Sequence, residues 1–96
     1  ERLTGIMPRY SISELKQERI PAARAKDDPV AALQRLYEDS ERDGVVAEAL
    51  GEECERAGRL AEALRWYEEA VDRYWDERFK RPPREAAVRV RALLAG

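Results

Sequence analysis

Between residues 45 and 71 apolar positions recur with a helical period on both sides of a single break. Val46, Ala47, Leu50, Gly51 and Cys54 fall at i, i+1, i+4, i+5 and i+8, and the period restarts with Leu60, Ala63, Leu64, Tyr67, Ala70 and Val71. The interruption is Ala57-Gly58-Arg59, so the spacing predicts two amphipathic helices joined by a tight turn. Tyr74, Trp75 and Phe79 continue the second stripe, and this helix is predicted to run to about Lys80, roughly 30 Å at 1.5 Å per residue. Pro82 and Pro83 are predicted to end it and to start a last helix, whose apolar stripe is Ala86, Ala87, Val90, Leu93 and Leu94.

Upstream the same two signals, caps and periodicity, place two further elements. Ser11 followed three residues later by Glu14 has the form of a capping box, and Ile12, Leu15 and Arg19 lie along one side of the helix it would start. Pro21 removes an amide donor and clashes with the carbonyl four residues earlier, so this helix is predicted to stop or bend near Ile20. Residues 21–26 then form a short further turn that buries Ala22, Ala23 or Ala25. Asp28 can cap and Pro29 suits the first helical position, which predicts a helix carrying Ala32, Leu33, Leu36 and Tyr37 on one face. Gly44 is predicted to close it in a left-handed conformation. Residues 1–10 show no sustained period and read as a flexible tail or linker; either the chain is a fragment of a longer protein or Met7 is the natural start.

The hairpin at 45–75 resembles a tetratricopeptide repeat, a helix-turn-helix unit with a bulky residue, Leu-Gly, tyrosine, Ala-x3-aromatic and a later proline at fixed offsets. Leu50-Gly51, Ala63-x3-Tyr67 and Ala70 match; Ala47, Cys54 and Trp75 stand where the family has tryptophan, tyrosine and proline. Small residues at Gly51, Ala63 and Ala70 suit two helices that cross closely, with Tyr67 filling the wedge beside them. Residues 13–44 look like a degenerate repeat, since Ala32-x3-Leu36 echoes Ala63-x3-Tyr67. The resemblance implies an all-α fold of antiparallel helix hairpins: a solenoid fragment of about five helices with a C-terminal capping helix, forming one domain over residues 11–96. It also implies a non-catalytic module that binds a peptide or partner protein. Repeat arrays usually need about three units to bury a continuous core, so an alternative is a homo-oligomerisation or scaffold element pairing through helix 60–80.

Composition narrows the function classes. The chain is 44% hydrophobic and 40% charged, which suits a folded helical protein with charged outer faces. No apolar run approaches the roughly 18 residues of a membrane span, and a cytoplasmic protein is the expectation. One cysteine and no histidine leave neither an internal disulfide nor a zinc site to expect. Without histidine Cys54 has no base of that type, and no glycine-rich phosphate loop is present, so neither an enzyme nor a cofactor is expected. Fifteen of the eighteen basic residues are arginine, which together with abundant alanine hints at a GC-rich bacterial source.

The net charge of −2 is unevenly spread: residues 1–26 carry +3, residues 27–79 carry −9 and residues 80–96 carry +4. Lys80, Arg81, Arg84, Arg89 and Arg91 could follow phosphates, but the acidic middle opposes nucleic acid, which is not an expected partner. In the repeats that the hairpin resembles, the first helix of each pair lines a concave groove, and that resemblance puts Glu48, Glu52, Glu55 and Arg56 there. Glutamates repel the C-terminal carboxylate that chaperone-binding members clamp, so a basic or mixed segment is the expected partner; the alternative is that these acids are only solvated. Trp75 and Phe79 are expected to pack under the last helix. Trp66 flanks the stripe, and is either covered by the N-terminal segment or left as a partly exposed partner contact.

Overall fold

The structure, a computed structural model, describes residues 9–96 and is all-α, with five helices and no strand among those residues. Most of the tail predicted at 1–10, and Met7, lie outside them. Tyr10, at the start of the described chain, donates its hydroxyl to Asp39 and lies under the Arg19 guanidinium at 4.7 Å from its ring centroid.

Helix α1 covers residues 12–24 in three stretches: α-helical Ile12–Glu14, π-helical Leu15–Arg19 and α-helical Ile20–Arg24. Ser11 caps it, its Oγ accepting from the Glu14 amide at 3.0 Å. Of the stop or bend predicted near Ile20, no stop occurs: the geometry changes there from π- to α-helical, and Pro21 falls in the first turn of Ile20–Arg24. A widened turn, with the Ile20 amide bonded to the Leu15 carbonyl, carries the helix through Pro21, easing the conflict between the proline ring and the Gln17 carbonyl. Of the alanines offered for burial in the following turn, Ala23 is the buried one.

Helix α2, Pro29–Asp39, begins as predicted, with Asp28 accepting from the Ala31 amide at 3.1 Å. Its end differs from the expectation. Glu41 and Arg42 take the left-handed backbone, at φ 63° and 64°. Gly44 instead opens α3, Gly44–Arg56, which Asp43 caps by accepting from Val45 N–H at 2.9 Å. What requires a glycine there is space: a Cβ at position 44 would lie 3.0 Å from the Tyr74 ring and backbone nitrogen.

Helix α3 is the spine of the molecule, with eight of its residues buried, from Gly44 to Cys54. The Gly58 turn (φ 77°) reverses the chain into α4, Leu60–Arg73. The predicted continuation to about Lys80 fails here, because Tyr74 turns extended (ψ 131°) and folds its ring inward, only 7% exposed. Asp76 then caps a new helix, α5, Glu77–Ala95, accepting from the Arg78 amide at 2.8 Å. Pro82 and Pro83 therefore lie inside α5 and do not start it. Pro83, Ala87 and Val90 give α5 its buried face on α4. Trp75 does not pack under this helix: it is 83% exposed in the α4–α5 junction, edge-on to Phe79 at 6.4 Å.

Each helix packs chiefly on its neighbour in sequence, in a slab whose principal extents are 51 × 32 × 18 Å. The core runs through it as one cluster, from Leu15 and Leu33 through Val46, Leu50 and Cys54 to Ala63, Ala70 and Val90.

Candidate partner-binding groove

Because the other sides of α3 are buried, its charged stripe has one direction left to face. Glu48, Glu52 and Glu55, at i, i+4 and i+7, are half-buried along a concave surface, with Arg56 exposed at its end. Two cavities share Glu48 and Glu52 as common walls. The larger, about 590 Å³, lies between α3 and α5 and includes Glu55, Arg56, Tyr67, Pro82, Ala86 and Arg89. The smaller, about 290 Å³, lies between α3 and α1 and includes Lys16, Ile20, Arg24, Val45, Ala49 and Tyr74.

Two glycine and tyrosine pairs build this surface. Gly51 lets the Tyr67 ring of α4 lie against α3, since a Cβ there would be 2.7 Å from Tyr67 Cδ1 and Cε1. The hydroxyl then reaches the groove, where it donates to Glu55 Oε1 at 2.9 Å. One heptad earlier on α3, Gly44 does the same for Tyr74, whose hydroxyl donates to Glu48 Oε1 at 2.6 Å. Burial first, and then the adjacent carboxylate, push both phenols far above their ordinary range, so both are neutral donors in neutral solution.

The predicted acidic character of the groove is largely balanced. Glu55 also accepts from Arg89, with Nη2 to Oε1 at 3.1 Å, and this guanidinium holds the carboxyl below its ordinary range. Glu52 accepts from Arg24 Nη2 at 2.6 Å, and Arg56 pairs with Glu53. Glu48 is different. Among the described residues no cation lies within ion-pair distance of it, and burial raises its pKa, opposed by the Tyr74 hydrogen bond and the more distant charge of Lys16.

Trp66 does not belong to this surface. It lies between α2 and α4, half-buried edge-on against Tyr37 with ring centroids 5.0 Å apart, and lines a separate cavity of about 400 Å³ with Gln34, Arg42, Arg65 and Glu69. Tyr37, whose hydroxyl donates to Glu69, and no residue of the N-terminal segment, is its aromatic partner among the described residues.

Sequence reasoning placed the α3 stripe and missed Lys16, Arg24, Tyr67, Tyr74 and Arg89 as lining residues. A signal for the tyrosines was present: Gly44 and Gly51 are seven apart, as are Tyr67 and Tyr74, the spacing that repeats one face of each helix. The C-terminal basic residues are each engaged, Lys80 and Arg84 with Glu77, Arg81 with Glu85, and Arg91 with Glu68. Cys54 is fully buried and its thiol is raised by that burial, which disfavours the thiolate. Among the described residues no cluster of potential ligands could hold a metal ion, and no helix is long and apolar enough to cross a membrane. Comparison with profiles of known protein families, with curated proteins and with solved structures finds no match.

Proposed function

We propose that this chain is a non-catalytic, tetratricopeptide-like interaction module that holds a peptide or extended segment of a partner protein along the α3 groove. The observation that carries the reading is the continuous concave surface built on Glu48, Glu52, Glu55 and Arg56, with cavities of about 590 and 290 Å³ on its two sides. Its likeness to the repeat family rests on the close approach of the Tyr67 ring of α4 to Gly51 of α3, with the small residues Ala63 and Ala70 buried on α4. Alternating acids and arginines favour a partner of basic or mixed charge. The test is capture of partner segments by the wild-type chain and by Glu48→Lys/Glu52→Lys. Capture should fall sharply in the variant, and unchanged capture counts against the groove.

Self-association is the second reading, favoured by apolar side chains left in solvent. Val88, Leu93 and Leu94 of α5 are 62%, 56% and 46% exposed, Val88 between the buried Ala87 and Val90 and the two leucines beyond them. The surface concerned is α5 and the Trp75 junction, since no helix spans 60–80. Light scattering at rising concentration decides it, and a strict monomer removes this reading.

A further inference from the structure

The smaller cavity has a composition that the larger one lacks. Buried Ile20, Val45 and Ala49 give it apolar walls, and Glu48, the one groove carboxylate with no cation within ion-pair distance among the described residues, lines it together with the Tyr74 hydroxyl. Tyr74 donates to Oε1, and among the described residues nothing donates to Oε2. Oε2 is open to solvent, and a donor with positive charge is the group that a carboxylate binds most strongly. The two long cationic side chains carry an alkyl stem that prefers an apolar wall and a head that prefers a carboxylate.

We propose that a lysine or arginine side chain of the bound segment enters the α1–α3 cavity, its stem against Ile20, Val45 and Ala49 and its charged head on Glu48. The inference rests on the groove reading and adds to it the chemistry of the anchoring residue. Glu52 is a poorer anchor, because Arg24 already occupies its Oε1 at 2.6 Å. Two like charges line the same cavity, Arg24, which is held by Glu52 and Glu53, and Lys16, which is exposed on α1 and is the one that can oppose the incoming head without losing a partner of its own among the described residues.

The test uses a random peptide library displayed on phage and selected on this chain, with the selected peptides then titrated one by one. The expected peptides carry a lysine or arginine whose replacement by norleucine weakens binding about tenfold or more. Glu48→Gln should weaken the parent peptide similarly and abolish the difference between it and the norleucine peptide. The glutamine oxygen still accepts from Tyr74, so the variant should fold, as circular dichroism would verify. Lys16→Ala, an exposed change, should tighten binding. Peptides that bind the groove with no basic residue coupled to Glu48 overturn the inference and leave the groove reading standing. Selection of no groove-binding peptide removes both.

Discussion

Gly51 and Tyr67 stand so close across α3 and α4 that a Cβ on the glycine would lie 2.7 Å from two ring carbons. Within a helix, Gly→Ala ordinarily stabilises by about 0.5–1 kcal/mol. Here the sign should reverse, because the ring is 2% exposed and its hydroxyl is tied to Glu55 at 2.9 Å, leaving it nowhere to retreat. Overpacking of this kind costs about 1–3 kcal/mol. Gly51→Ala should therefore lower the urea midpoint, and adding Tyr67→Leu should recover part of the loss. A Gly51→Ala chain as stable as wild type would show that the two helices do not cross this tightly.

Glu41 and Gly58 occupy the same place in two copies of one helix ending. At Gly58, its amide bonds the Glu55 carbonyl at 3.0 Å and the Arg59 amide bonds that of Cys54 at 2.8 Å. At Glu41, its amide bonds the Glu38 carbonyl at 3.1 Å and the Arg42 amide bonds that of Tyr37 at 2.7 Å. The first uses glycine at positive φ and the second places a glutamate there, exposed and strained. Glu41→Gly should stabilise by about 0.5–1 kcal/mol, the relief of the left-handed conformation exceeding the entropy that glycine adds to the unfolded chain. A rise in Tm checks it.

This second ending shows where the sequence was legible and where it was not. Caps that match strong local patterns, Ser11 and Asp28, could be read directly, as could the α3 stripe and the turn at Gly58. Gly44 was misread because its local signature, a glycine after a periodic run, is also that of a residue making room for a distant ring, and Tyr74 lies 30 residues on. The partners of the groove acids were hidden for the same reason: Arg24 lies 28 residues from Glu52 and Arg89 lies 34 from Glu55, separations to which no helical period is sensitive. Pro82-Pro83 misled by outweighing Asp76, although a capping aspartate sets a helix start and burial of Pro83 helps to hold the prolines within it.

Asp76 gives the chain an acid-sensitive contact. The Arg78 side chain, then its backbone amide, lower the carboxyl from 3.8 to about 2. A folded pKa below the unfolded value means a contribution present above about pH 4 and lost as pH falls towards 2. Glu48 acts in the opposite sense, because burial raises its pKa, and the stability linked to it diminishes as pH rises through the folded value. Asp76→Asn keeps a capping side chain, so the drop in Tm from pH 4 to pH 2 should be shallower than in wild type. An unchanged profile would place the acid sensitivity elsewhere.

The two tryptophans sit in opposed environments and should be separable in solution. Trp66 is half-buried against Tyr37, whereas Trp75 is 83% exposed between the buried Tyr74 and the cap at Asp76. Trp75 should therefore emit at longer wavelength and be quenched efficiently by iodide, and Trp75→Phe should remove that component and leave a shorter-wavelength, protected emission. Stability should change by no more than about 0.5 kcal/mol, as for a surface substitution away from caps and core. If Trp75→Ala instead lowered the Tm by several degrees, or if iodide quenched neither tryptophan in the monomer, the ring would have to be packed. The α4–α5 junction would then be more enclosed than its extended Tyr74 and exposed Trp75 make it. Loss of iodide access only at high protein concentration would be the optical signature of self-association through this junction.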